Sequence, residues 1–422
     1  LDEGDDRMPP HPQTVLRRTN VSDLYQQISK RAKELEQETA RFLMDMIRVP
    51  SFSGKEKEVI QVIKKEMEAV GFDEVRIDGL GSVIGRIGSG PRVIAFDAHI
   101  DTVYPGDQSL WSFDPFSPKI EDGKLYGRGA SDQEAGMASM VTAGKLIKEM
   151  GLNKDFTIYF TGTVMEEDCD GLCWKYIINE EKIRPELVVI TEPTSLNIYR
   201  GHRGRMEMQV KVGGLSCHGS APERGDNAIY KISRIALEIE KLHPRLMTDP
   251  FLGKGSVCVS QVFFTGPSQC AVPDGAWINL DRRLTWGETK ESAVAEVKDA
   301  CARAGYPDAE VIVLNYAEPA YTGLVYPMEK YYPTWVTPED SPYVKTAMDA
   351  YEATLGRKPL VDKWTFSTNA VSIAGMEKIP CIGMGPGHEN QAHAPNEHCP
   401  VDHLSAASGF YAAFVARLNG KA

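Results

Sequence analysis

Five short clusters of acidic and imidazole side chains hold most of the chemistry open to this sequence. They are Ala98-His99-Ile100-Asp101, Gly127-Arg128-Gly129-Ala130-Ser131-Asp132, Glu166-Glu167-Asp168, Glu192-Pro193-Thr194 and Ala392-His393-Ala394-Pro395-Asn396-Glu397. Singly, each is ordinary: a lone histidine is most often a hydrogen-bonded side chain, and an acidic pair is most often a solvated face. Jointly they point to metal chemistry. Carboxylates gathered at one end of a sheet repel one another and raise their pKa values, and cations relieve that strain. Two imidazoles and three carboxylates suit a pair of borderline divalent ions, zinc above all. The Gly127-Arg128-Gly129 stretch is not read as a phosphate loop, because it lacks the third glycine and the Lys-Ser/Thr pair that such loops use.

Hydrophobic spacing predicts the elements that must present these clusters. Leu24, Ile28, Ala32, Leu35, Leu43, Met46 and Ile47 keep helical spacing over 21–48, as one helix or two, and Pro50 stops it. Val59, Ile60, Ile63, Met67 and Val70 predict a helix over 55–70, with Gly71 as its C-cap. Apolar runs predict buried strands over 92–100, 156–163 and 187–191, and 136–150 reads as a helix. Alternating strand and helix argues for an α/β sheet layered with helices. The clusters follow its strands, where open α/β sheets place their sites.

From residue 206 the pattern changes to strand, helix, strand, strand, helix, strand, over 206–213, 227–242, 256–264, 276–284, 291–304 and 309–315. That order is a ferredoxin-like unit. Residues 316–338 read as irregular and 341–355 as helix, after which the α/β pattern resumes. The expected organisation is a larger domain over 21–205 and 316–422, a small domain inserted at 206–315, and a polar extension over 1–20.

Composition narrows the function classes. The chain has 422 residues, enough for two or three domains. Its 47 Lys and Arg against 59 Asp and Glu give a net charge of −12, so no nucleic-acid partner is expected. No apolar stretch reaches the roughly 18 residues of a membrane span, and residues 1–20 lack the basic and apolar regions of a secretory signal. Eight scattered cysteines read as reduced, mostly buried thiols, and the expected location is the cytoplasm.

Taken in order, His99-x-Asp101, Gly-Arg-Gly-x-x-Asp132, Glu166-Glu167, Glu192-Pro-Thr and Ala-His393-x-x-Asn-Glu resemble one known family. It is the dinuclear zinc aminoacylase and carboxypeptidase family, which includes acetylornithine deacetylase, succinyl-diaminopimelate desuccinylase and glutamate carboxypeptidase. The likeness covers residues 35–418, and a further signature, Cys217-His218-Gly219-Ser220-Ala221-Pro222, lies in the inserted unit. Ser131-Asp132-Gln133-Glu134, together with residues 167–174 and 362–369, resembles its selenium-metabolism-linked (YgeY-type) hydrolase subgroup more closely.

The resemblance implies a mixed-sheet α/β catalytic domain with helices on both faces and an inserted ferredoxin-like α+β lid and dimerisation domain. It implies two divalent ions, zinc first, with cobalt or manganese as substitutes. Asp132 would bridge them, His99 and Glu192 completing one and Glu167 and His393 the other. Asp101 would hydrogen-bond the free nitrogen of His99 and fix its tautomer, the i, i+2 spacing suiting a strand. Glu166 would be the general base for a metal-activated water. His218 would help bind the oxyanion, reaching across from the partner of a homodimer. Arg283, in Asp281-Arg282-Arg283, would grip a substrate carboxylate, and Ser367, Thr368 and Asn369 would line the substrate pocket. His388 competes with His393, but the Ala-His-x-x-Asn-Glu context favours His393. A cis peptide after Asp132 is also implied.

The expected reaction is hydrolysis of the amide bond of a small N-acyl amino acid, dipeptide or carbamoyl amino acid. Two readings compete with it: a catalytically silent binding or assembly protein on the same fold, and a dinuclear peptidase of longer peptides. The first draws on two departures from many relatives, Glu134 in place of Lys and Cys270 in place of Asn. The second needs a roomy, unlidded cleft.

Overall fold

The computed structural model describes residues 21–420; the expected extension at 1–20 lies outside the described residues. The chain begins with α1 (Val21–Glu34), α2 (Glu36–Ile47) and α3 (Lys57–Val70), so the first periodic stretch divides at Leu35. Gly71 ends α3 with φ 84°, the left-handed conformation that favours glycine. Strands β1 (Glu74–Ile77), β2 (Val83–Ile87) and β3 (Arg92–His99) follow, then α4 (Glu134–Glu149), β4 (Phe156–Thr163), α5 (Leu172–Asn179), β5 (Leu187–Ile190) and β6 (Ile198–His202). The chain then runs through β7 (Gly204–Gly213), α6 (Ala228–Leu242), β8 (Ser256–Thr265), β9 (Gly275–Leu284), α7 (Lys290–Arg303) and β10 (Glu310–Val313). It returns as β11 (Trp335–Val336), α8 (Pro342–Leu355), β12 (Val361–Trp364), β13 (Cys381–Gly383) and α9 (Val401–Leu418).

The large sheet has the order β1-β2-β4-β3-β5-β13-β6-β11, with β12 beside β6. Strands β4, β3, β5 and β13 are parallel, β2 is antiparallel to β1 and β4, and β6 is antiparallel to β13 and β11 but parallel to β12, so the sheet is mixed. Its central strands are buried on both faces, which is why Leu187-Val188-Val189-Ile190 shows no polar alternation. On one face Phe96 of β3 meets Tyr411 of α9. On the other, Asp97 accepts from Asn369, whose own carbonyl accepts from Cys173 of α5. Helices therefore cover both faces, as expected.

Parallel pairing of β3 between β4 and β5 brings three strand ends together. His99 lies opposite Thr163, and Asp97 opposite Ile190. The loops that carry Glu166, Glu167 and Glu192 thus leave the sheet beside His99.

The second sheet has the order β8-β9-β7-β10, all antiparallel, with Tyr331–Tyr332 also on β7. With α6 and α7 this is the ferredoxin-like order of strands and helices. It has its own apolar core, built from alternate residues such as Met206, Met208 and Val210 against Ile232, Ile235 and Val297. The stretch 316–338, expected to be irregular, contributes two-residue strands at Tyr331–Tyr332 and Trp335–Val336. Elements that short have no period to read.

Candidate metal centre

The loop that presents Asp132 is built around one buried carboxylate. Glu397 accepts hydrogen bonds from the backbone of Gly129 (3.1 Å), Ser131 (2.7 Å) and Asp132 (2.9 Å), and from the Arg128 guanidinium (2.7 Å). Arg128 is itself buried and lies 5.0 Å from the Trp111 ring. Gly129 has φ 89°, and a Cβ there would fall 2.8 Å from Glu134 Oε2, so the tight turn needs glycine. The peptide after Asp132 is cis, as the resemblance implies.

A second carboxylate holds the turn that presents Glu166 and Glu167. Asp101 accepts from the backbone of Glu166 (3.1 Å) and Glu167 (3.0 Å) and from Ser53 Oγ (2.6 Å). Met165, with φ 62°, makes the turn, and its N–H donates to buried Glu56 (3.1 Å). This corrects the expected contact of Asp101 with His99. His99 Nδ1 donates to the backbone carbonyl of Asp101 at 2.9 Å, while the carboxylate stands 3.6 Å away. The reason is that β3 ends at His99, so Asp101 lies in the loop and its side chain turns to the neighbouring backbone. A hydrogen on Nδ1, donated to that carbonyl, leaves the Nε2 lone pair toward Asp132.

The presented groups converge. Asp132 Oδ1 lies 3.1 Å from His99 Nε2, and its Oδ2 lies 3.4 Å from His393 Nε2. Glu192 Oε1 is 3.4 Å from His99 Nε2, and Glu167 is 3.0 Å from His393 Nε2. Glu166 Oε2 is 3.8 Å from His99 Nε2. Ligand atoms of His99, Asp132 and Glu167, and separately of His99, Glu166 and Glu192, lie within 4.8 Å of one another. All are buried or nearly so except His393, which is exposed at the mouth.

This donor set fits divalent cations. Glu166 Oε1 and Glu192 Oε2 are buried without a hydrogen-bond partner among the described residues. Burial, reinforced by Asp132, pushes the Glu167 carboxyl up to about 7; burial pushes Glu192 up to about 8. Burial also holds Glu166 well above the usual carboxylate range, with Asp170, Glu192 and Glu167 adding to it against the pull of His99. The hydrogen bond to Glu167 raises His393 to about 9. Divalent cations bound among these carboxylates and imidazoles would compete with protons for the same lone pairs.

The cluster opens into a cleft of about 280 Å³. Its other wall carries Arg205, Arg283, Thr365, Phe366, Ser367 and Glu389. Of the three residues expected to line the pocket, only Ser367 does. Thr368 and Asn369 are buried brackets. Thr368 donates its N–H to His202 Nε2 (3.1 Å), and Asn369 ties Asp97 and Thr163 to the backbone of Gly171. Arg283 lines the cleft, but its fork is closed on Asp281 (2.9 and 3.0 Å). Arg205 and Asp170 also line it, joined at 3.0 Å, and neither was singled out from sequence.

His218 does not reach the cleft of its own chain. It sits on an exposed loop of the second sheet, bonded to Ser220 (2.8 Å). His388 is also absent from the cleft, its Nδ1 hydrogen-bonded with Ser195 Oγ (2.8 Å). Glu134 is buried beneath the Asp132 loop and does not line the cleft; burial holds its carboxyl well above the usual range. Cys270 is exposed beside the His218 loop, its carbonyl accepting from Gly219 (2.7 Å).

Comparisons with known proteins agree with this geometry. The sequence profile described as peptidase family M20/M25/M40 matches residues 95–417, more than half of the chain. The chain is 55% identical over 386 residues to the YgeY protein of Escherichia coli (strain K12), covering 92% of this chain and 96% of that one. It is 27% identical over 396 residues to succinyl-diaminopimelate desuccinylase of Gluconacetobacter diazotrophicus, covering 89% and 96%. A solved dinuclear metal-binding peptidase, the YXEP protein of Bacillus subtilis, shares the fold with a TM-score of 0.67 at 17% identity, over 92% of this chain and 100% of that one.

Proposed function

Because the chain belongs to peptidase family M20/M25/M40, metal-dependent hydrolases of amide bonds, we propose that it cleaves the amide bond of a small N-acyl amino acid, dipeptide or carbamoyl amino acid. The observation that carries this reading is Asp132, whose two oxygens face two imidazoles, each with its own glutamate. It supports two ion sites that share Asp132, one completed by His99 and Glu192 and the other by Glu167 and His393. When bound, two divalent ions (zinc, or cobalt or manganese) supply Lewis-acid polarisation of the carbonyl and lower the pKa of a water toward about 7.

The chain's own residues do the rest. His99, with Nδ1–H held by the Asp101 carbonyl, turns the Nε2 lone pair toward Asp132. Glu166, fixed by the Asp101 grip on its backbone, takes the proton of the attacking water. Once the C–O bond has formed, Glu166 returns that proton to the nitrogen as the C–N bond breaks, and the water's second proton leaves the new carboxyl group for the amine, giving a carboxylate and an ammonium.

The inserted unit at 206–315 serves as lid and dimerisation domain in this proposal. Two features support that role. β8 is an edge strand with Val262 (66%) and Phe264 (63%) exposed, and Leu237 (56%) of α6 is exposed in the same unit. A second copy seated there would supply the His218 that a single chain leaves outside its own cleft, and a donor at the oxyanion is worth about 3–4 kcal/mol. No helix among the described residues is long and apolar enough to cross a membrane. All eight cysteines are free, which suits the proposed cytoplasmic location.

The test is a hydrolysis screen of purified protein with Zn²⁺, Co²⁺ or Mn²⁺, using N-acyl amino acids, dipeptides and carbamoyl amino acids. Turnover of at least one small substrate, strongest with added metal, is expected. Cleavage of long peptides alone, or no turnover from metal-loaded protein, would refute the proposed substrate class.

A further inference from the structure

Arg205 of β7 and Arg283 of β9 are direct partners across the strand pair, and both line the cleft. Like charges directly opposite on neighbouring strands repel. Each is therefore matched with a carboxylate, but unequally. Arg283 gives both Nε and Nη2 to the two oxygens of Asp281. Arg205 gives Nη2 to one oxygen of Asp170, whose other oxygen is occupied by the Ser367 hydroxyl. Its Nε is buried without an acceptor among the described residues, and Glu207 pairs only loosely, 3.7 Å from Nη2. The guanidinium lies 4.6 Å from the Tyr332 ring, which pins its plane. Burial of a guanidinium with donors left over is a cost, and it is carried at the wall that faces the metal cluster.

We propose that Arg205, rather than Arg283, is the specificity-determining residue that takes an anionic oxygen group of the substrate, a carboxylate, across the cleft from the metal cluster. Asp170 and Ser367 act as positioning residues that hold the guanidinium at the right height. This inference rests on amide hydrolysis at that cluster. A planar fork with free N–H groups suits a carboxylate better than a neutral amide does.

The probes are an N-acetyl-amino acid and its C-terminal carboxamide. Wild-type protein is expected to favour the carboxylate by about 10²-fold in kcat/KM, the gain of a charge-assisted fork. Arg205→Met is expected to collapse that ratio, chiefly through KM for the carboxylate, and Arg205→Lys to keep part of it. Because Arg205→Met strands the Asp170 carboxylate, the Arg205→Met, Asp170→Asn double variant is measured beside it and should lose the same preference. Wild-type indifference between the probes would overturn the inference, and so would equal loss on both probes in the double variant. Calorimetric binding of both probes to metal-loaded Glu166→Gln protein, with and without Arg205→Met, is the second readout. If wild-type protein hydrolyses neither probe, the proposed reaction is judged separately, by the wider substrate screen. Carboxylate-selective binding that depends on Arg205 then still supports the inference, and its absence overturns it.

Discussion

Glu166→Ala and Glu166→Gln are expected to keep bound metal and lose about 10²–10⁴-fold in kcat, the size of a lost general base. The argument starts from position. Glu166 follows the left-handed Met165 turn, and Asp101 holds its backbone N–H at 3.1 Å, so its carboxylate has little freedom. One oxygen lies 3.8 Å from His99 Nε2, and the other is buried with no partner among the described residues. A group so placed has an acceptor to spare for the water's proton. Its neighbour differs: Glu167 is within 3.0 Å of His393 Nε2, and Glu167→Ala is expected to lower metal content instead. Metal analysis and steady-state kinetics on the two variants separate the roles. Because Glu166 also falls within ligand distance of His99 and Glu192, loss of a metal equivalent from Glu166→Ala would make it a ligand and contradict its role as base.

The second large effect is expected at Glu397, which does not line the cleft. Glu397→Ala removes the acceptor for three backbone N–H groups and for Arg128 at once. Arg128 is 2% exposed, so its charge would be left buried without its partner. Breaking such a pair costs about 3–5 kcal/mol. The loop that carries Asp132 would also lose its anchor, so metal content should fall with stability. Urea unfolding, read beside metal content, checks both. A loss of less than about 1 kcal/mol, typical of an exposed pair, with full metal content would show that the loop is held by something else.

The acidic and imidazole clusters that converge beside His99 were legible in the sequence because metal binding would demand those residue types. The strands that present them were legible where they are buried on both faces and long, as over 92–99 and 156–163. Geometry that depends on where a strand stops was not legible. Asp101 was given the His99 contact because i, i+2 spacing suits a strand, yet β3 stops at His99 and the carboxylate turns to the 166–167 backbone instead. Thr368 and Asn369 were expected at the cleft, but their hydrogen bonds run inward to His202, Asp97 and Thr163. Arg205 and Asp170 escaped notice because a lone Arg and a lone Asp, 35 residues apart, carry no signal until the fold joins them. The strand order that seats Arg205 opposite Arg283 is likewise a property of pairing between distant segments.

The most direct test of the central claim is a calorimetric titration of metal-free protein with Zn²⁺ near pH 7, with hydrolysis followed on the same samples. Two ions per chain are expected, with activity rising to full value as the second site fills. Binding should release protons, because Glu167, Glu192 and His393, raised to about 7, 8 and 9, must give theirs up; affinity should therefore rise with pH across that range. Saturation at one ion with full activity, or binding of two ions with no hydrolysis of any small amide, would contradict the account.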